Sequence, residues 1–213
     1  AISVIKNSIR ENTTILTLQN GIGSGELLSA HFGQENVILG ATYIDASIVD
    51  YGIIQEHGGD CKIVFGNYGG SPNQHTEKVK DLLSETPIKY HLSNDILSTV
   101  WEKLIFISGL SGMTCITNST FDKVLSNDQT KAITKSLITE TYQVGIQSGI
   151  PLKNNIIQKT MEYYIDQKYS LNSSMHQDLM NGKQLEVDNI NGAISRLGKS
   201  LGVSTPINHM INS

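Results

Sequence analysis

The stretch "IKYHLSNDILSTVWEKLIFISGL", residues 88–110, decides the fold, because a strand gives way to a long helix inside it. Residues 88–93 read as a short strand. Ser93 and Asn94 can then cap a helix that runs on through Trp101, Lys103 and Leu110. Upstream of this point the chain is α/β in pattern; downstream it is helical with no strand signal. The change at 93/94 has no low-complexity linker, so it predicts a close junction between a domain over 1–93 and a domain over 94–213.

Working upstream, a helix over about 73–85 is expected after Pro72. Three runs with strand character precede it, about 41–47, 51–56 and 61–66, and the glycine pair at 58–59 reads as a hairpin turn. "NVILG" (36–40) and "TTILTL" (13–18) are short apolar runs expected as buried strands. Between them "QNGIGSGELLSAHFG" reads as a Gly-rich turn and a short helix that stops at Gly33. Ala1 to about Arg10 reads as the end of a helix.

Downstream, "SNDQ" (126–129) is a capping-box pattern ahead of a helix to Gly149. Further helices are expected over 153–168 and 186–201, the latter with Ile190, Ala193, Leu197 and Leu201 on one stripe and Gly202 as its stop. "TPINHMINS" closes with a helical tail.

Composition narrows the function classes. The 213 residues can bury a sizeable core; 38% are apolar and 17% charged, which excludes a disordered chain. The formal net charge of -4 gives no footing for a nucleic-acid groove or an anionic membrane surface, so neither is an expected partner. There is no run of 18 or more apolar residues. Cys61 and Cys115 are isolated, without a C-x-x-C or a His cluster; they read as reduced thiols of a cytoplasmic protein, and no metal site is expected.

Three places could carry chemistry. Lys103 sits deep in an apolar run. It reads either as a stem lying along the core with its head in water, or as a desolvated ammonium paired with a carboxylate and able to act as a general acid. Glu186 stands at i-4 and i-7 from Ile190 and Ala193, at the head of an apolar stripe. It is either a first-turn glutamate favoured by the helix dipole or a carboxylate facing a cleft. The polar segments "SSM" and "DLMNG" before it could line a site. Asn20 and Gly21 in "LQNGIG" (18–23) follow a strand, the edge where open α/β sheets bind ligands, although an ordinary Asn-Gly turn reads as well. G-I-G-S-G lacks the G-x-G-x-x-G spacing of a dinucleotide fingerprint.

Taken together, "LQNGIG", "LSTVWEKLIFISGLSGMTCIT", "SGIP", "SSMHQDLMNGKQLEVDNINGAI" and "LGKSLGVSTPIN" resemble the ketopantoate reductases (2-dehydropantoate 2-reductases), in that family's order over most of the chain. The resemblance implies a fold of class α/β plus all-α. Residues 1–93 would be the second half of a Rossmann-type NADP-binding domain, and 94–213 a helical domain like the C-terminal domain of 6-phosphogluconate dehydrogenase. It implies hydride transfer from NADPH to a small 2-oxo acid, 2-dehydropantoate first, in pantothenate biosynthesis. Lys103 matches the family's catalytic lysine, and Glu186 the glutamate that works with it and with the substrate hydroxyl. Ser174 matches a serine near the substrate carboxylate. Asn20, with Gly21 and Glu186, matches the positions beside cofactor and substrate.

Two departures follow. Four and eight residues beyond the lysine the family usually has asparagines; here stand Ile107 and Ser111, of which only Ser111 can still hydrogen-bond substrate. This bears on which substrate is taken. The strand–G-x-G-x-x-G–helix opening is also missing, so the chain is expected to be a C-terminal portion, about 80 residues short by the size of one mononucleotide-binding half, with little activity alone. An apolar face where that half would pack leaves self-association, as a homodimer, as a further expectation. A β-hydroxyacid dehydrogenase relative and a non-catalytic binding or dimerisation module are the competing readings. The W-x-K-L and S-S-M…E pairing opposes the first, and retention of Lys103, Ser174 and Glu186 opposes the second.

Overall fold

The computed structural model describes residues 2–10 and 12–213, and at 58 and 59 the strand alone. The chain divides into two compact units. One holds Gly23–Val100 with the chain up to Gln19; the other holds Trp101–Ser213 and, inserted from far upstream, Asn20–Ile22.

The first unit contains α1 (Ile2–Ile5), β1 (Ile15–Thr17), α2 (Ser24–Phe32), β2 (Val37–Asp50), β3 (Ile53–Asn67), α3 (Gln74–Ser84) and β4 (Lys89–Leu92). The four strands form one sheet in the order β1-β2-β3-β4. β1 pairs parallel with β2 (Ile15↔Val37), β2 antiparallel with β3 (Ile38↔Asn67), and β3 parallel with β4 (Lys62↔Lys89). The apolar run "VIL" is buried on both sides, and its alternation explains how. Val37 packs with Leu28 of α2, while its neighbour Ile38 packs with Val79 of α3. Helices thus cover both faces, the doubly wound pattern of a partial Rossmann-like domain. Asn73 starts α3 with a full capping box, its side chain accepting from the N–H groups of His75 and Thr76.

The expected strands over 36–40, 41–47, 51–56 and 61–66 merge into two, because Gly40 is in register with Phe65 and the ladder continues past it. The chain reverses at Tyr51–Gly52, where Gly52 has φ 72°, and not at 58–59, which lies within β3. At the start of the chain the helix covers four residues, Ile2–Ile5; Ala1 lies outside the described residues.

α4 (Ile96–Thr117) carries the chain into the second unit, which continues with α5 (Phe121–Ser126), α6 (Asp128–Gln147), α7 (Ile156–Gln167), α8 (Ser174–Met180), α9 (Asn191–Leu201) and α10 (Pro206–Asn212). No strand follows Leu92 among the described residues. By length and composition α4 could cross a membrane, but Trp101, Leu104, Ile105, Leu110 and Met113 are buried in the core of the helical unit, as in the central helix of a globular domain. Close packing needs small residues at two crossings. A Cβ on Gly109 would stand 2.7 Å from Ile138, and one on Gly145 2.9 Å from Trp101. Tyr164, fully buried, donates its hydroxyl to the Phe106 carbonyl and stacks edge-on against Phe121 at 4.8 Å.

Two caps differ from expectation. α4 is capped by Asp95, whose Oδ1 accepts from the Ser98 N–H at 3.1 Å, and not by Ser93 or Asn94. Ser126 ends α5, so the cap of α6 passes to Asn127, which accepts from Gln129 and Thr130. Residues 174–180, which overlap the polar segments "SSM" and "DLMNG", form α8, because the Ser173 hydroxyl accepts from the His176 N–H and starts a turn that Met175 anchors in the core.

Candidate active site

All parts of the site belong to the helical unit, including the three residues that the unit draws from the upstream loop. Lys103 lies on α4 among buried neighbours Trp101, Leu104 and Ile105, and is itself half-buried. Glu186 does not sit in the first turn of α9, where its spacing from Ile190 would put it. A 3-10 turn, Val187–Asn189, intervenes, and Glu186 is its N-cap. The reason is local: the Asn189 and Ile190 N–H groups both donate to the Glu186 carbonyl, tightening the backbone before the α-helix begins at Asn191.

Onto this turn docks the Asn20–Ile22 segment. The Asn20 amide donates from Nδ2 to Glu186 Oε2 at 3.1 Å, and the Ile22 N–H donates to the Asn189 carbonyl at 3.2 Å. Gly21, between them, has φ 88°, and a Cβ there would lie 1.9 Å from the Asn189 carbonyl oxygen. Glycine is therefore demanded twice, by backbone conformation and by close approach. Asn20, Gly21 and Glu186 are thus brought together by two hydrogen bonds and one steric requirement.

Lys103 joins this group electrostatically. Burial pushes its ammonium down from 10.5 to about 8, while the Glu186 carboxylate pulls the other way. Desolvation wins, and the result is a cation that holds its proton at neutral pH yet can release it within a unit or so of it. This is the property a general acid needs. Cys115 is no competing nucleophile, since burial raises its thiol to about 11. Among the described residues no group of three His, Cys, Asp or Glu side chains could hold a metal ion.

The other two expected site residues are placed differently. Ser111 lies on α4 two turns beyond Lys103 and is buried, with Ile107 between them on the same helical face. Ser174 is the first residue of α8 and is exposed; among the described residues no hydrogen bond ties it to the Asn20–Glu186 pair. Sequence reasoning missed Asn189, whose role is a backbone carbonyl and leaves no side-chain signal. It also missed Asn191, which is fully buried and donates to Asn208 Oδ1 at 3.0 Å and to the Ser108 carbonyl at 3.5 Å. An asparagine in the apolar frame "DNINGAI" was the available signal for the latter.

Comparison with known proteins places this architecture. D-mandelate dehydrogenase, solved with NADH and anilino(oxo)acetate, superposes with a TM-score of 0.88 at 26% identity over 99% of this chain and 69% of that one. Dimeric ketopantoate reductase from Staphylococcus aureus superposes with a TM-score of 0.84 at 21% identity, over 99% and 71%. The fold is that of proteins that pair a Rossmann-like domain with a helical one. The 2-dehydropantoate 2-reductase of Streptococcus pyogenes is 27% identical over 210 residues, 97% of this chain and 67% of that protein. The model of the ketopantoate reductase PanE/ApbA C-terminal domain matches residues 95–213, and that of ketopantoate reductase PanE/ApbA matches residues 1–70. The chain belongs to the ketopantoate reductase family. It spans about two thirds of the length of the relatives it matches.

Proposed function

We propose that this chain forms the proton-donating, substrate-holding part of a cytoplasmic reductase that converts a 2-oxo acid to a 2-hydroxy acid with NADPH, 2-dehydropantoate being the first candidate substrate. The observation that carries the proposal is the half-buried Lys103, lowered to about 8 beside a Glu186 that Asn20 holds at 3.1 Å. In such a reaction the nicotinamide supplies the hydride. What falls to this chain is the oxygen of the reacting carbonyl. As negative charge grows there, Lys103 offers a desolvated cation and then its proton. Glu186 stays as counter-charge, keeping the ammonium protonated until that moment. Asn20, fixed through one amide hydrogen to Glu186, keeps its carbonyl oxygen and second amide hydrogen for ligand. Ser111 and Ser174 are proposed substrate contacts, and Gly21 lets Asn20 reach its place.

Of a dinucleotide, these residues fit only the reactive end. No G-x-G-x-x-G turn occurs in the 213 residues, and Gly25, which follows Gly21 and Gly23, is committed to packing: its Cβ would stand 2.5 Å from Leu39. The reading therefore assigns these residues the nicotinamide end alone.

A second substrate reading has its own support. Ile107 occupies the face of α4 one turn from Lys103, where it offers an apolar contact. The likeness to D-mandelate dehydrogenase points the same way, toward a 2-oxo acid with an apolar side chain. The test is steady-state oxidation of NADPH and NADH by this chain carried in a polypeptide of its relatives' full length, with 2-dehydropantoate and with an aromatic 2-oxo acid. Turnover of either that is lost in Lys103→Ala supports the proposal. Turnover unchanged in Lys103→Ala ends it.

A further inference from the structure

Helix α7 carries more apolar surface than the core of the helical unit takes up. Thr160 and Tyr164 form its buried stripe. Ile157, Met161 and Ile165, four residues apart, form a second stripe beside the first, and it ends in the open, with Ile165 40% exposed. This second stripe floors a groove of about 660 Å³ between α6 and α7, a volume within the usual range of small-molecule sites. From Ile157 to Ile165 the floor runs for about 12 Å at the rise of an α-helix.

The chemistry of the lining selects an occupant. The floor is aliphatic, and among the described residues no aromatic ring lines the groove, so a planar ring system has no face to stack on. A flexible chain of methylenes suits such a floor, because it gains its contacts by following the side chains. Lys131 and Lys135, one turn apart on α6, line the same groove, and among the described residues neither is in an ion pair. The one carboxylate in the lining, Glu162, accepts from the Gln158 amide at 2.8 Å. Two cations against one carboxylate leave a single positive charge in excess, the complement of a monoanion and not of a dianion. We propose that the α6–α7 groove binds a single-chain organic monoanion, its unbranched acyl chain along Ile157, Met161 and Ile165 and its carboxylate at Lys131 and Lys135. Among the described residues Asn20, Lys103 and Glu186 take no part in the lining, so the site is separate from the proposed active site.

The inference does not rest on the reductase reading, because its readout is binding and not turnover. Titration calorimetry of this chain with monomeric decanoate is expected to give a dissociation constant of about 100 µM or tighter. Hexanoate, with the same head and a shorter chain, is expected to bind at least about 30-fold more weakly. Decylammonium, with the same chain and the opposite charge, is expected to bind at least about tenfold more weakly. Lys131→Glu with Lys135→Glu should invert that last preference, so that decylammonium binds at least about tenfold tighter than decanoate, which a merely misfolded variant would not do. No binding of decanoate at about 1 mM, hexanoate bound as tightly as decanoate, or a charge-reversed variant without a preference for decylammonium would each overturn the proposal. A dimer of the wild-type chain that decanoate dissociates in sedimentation would also overturn it, since a second copy would then be the occupant of the groove.

Discussion

Two charged side chains lie well inside the helical unit, and they are treated in opposite ways. Glu140 on α6 is 8% exposed, and the start of α10 is built around it. Oε1 accepts from the Ile207 N–H, and Oε2 from the Asn208 N–H and the Asn208 amide, at 2.9–3.0 Å. Lys103 on α4 is set among apolar neighbours with the Glu186 carboxylate as counter-charge, and desolvation lowers it to about 8. A buried charge met by three donors is a structural tie, because the field that replaces water is complete. A buried charge whose desolvation outweighs its compensation is held near its titration point, the condition that the proposed proton transfer needs. The contrast separates stability from activity, so substitution at the two sites should fail in different ways.

The largest effects test that separation. Lys103→Ala is expected to lower kcat at least about 1,000-fold in the full-length context while leaving Tm unchanged or higher, since a desolvated charge is removed. Glu140→Ala is expected to do the reverse: about 3 kcal/mol less stable in urea, with the kcat of the folded fraction within about twofold. A Lys103→Ala protein that loses stability and keeps its rate would erase the distinction.

Gly21→Ala comes next. Its Cβ cannot coexist with the Asn189 carbonyl oxygen at 1.9 Å, so the loop must shift and release Asn20 from Glu186. A fall in kcat/KM of about 10–100-fold is expected, with a loss of about 1–2 kcal/mol in stability. Ile107→Asn sharpens the substrate question. It should move the ratio of kcat/KM toward 2-dehydropantoate, whose hydroxyl it could meet, by about tenfold over an aromatic 2-oxo acid. Asp188→Asn is the smallest change. Its ion pair with Arg196 spans 3.4 Å between exposed side chains, and an effect under about 0.5 kcal/mol is expected by thermal unfolding.

Much of this was legible in the sequence because it depends on side-chain identity and period. The turn after β1, the stop of α2 at Gly33, the start of α3 after Pro72 and the stop of α9 at Gly202 are written in residues that force them. Lys103 stood out as a charge in an apolar helix, and Glu186 as a carboxylate at the head of a stripe. What the sequence could not show was contact between backbones. Gly21 read first as an ordinary turn glycine and, through the family resemblance, as a cofactor glycine; only the approach of Asn189, 168 positions away, shows why no side chain fits. The same limit explains the hairpin. Without knowing that Ile48 faces Ile54, the glycines at 58–59 were a better turn signal than Tyr51–Gly52.

Protonation of Lys103 is the hinge of the account. Its folded-state value lies below that of the unfolded chain, so the unfolded state binds more protons between about 8 and 10.5. Stability contributed by this group should therefore rise with pH across that window, while proton donation should fade as pH passes 8. The most direct measurement is the NMR titration of the ¹³C-dimethylated lysines of this chain, with the Lys103 signal assigned by its loss in Lys103→Arg. A midpoint near 8, falling further in Glu186→Gln as the raising carboxylate is removed, is the predicted result. A midpoint at the ordinary lysine value of 10.5, unmoved by Glu186→Gln, would contradict it.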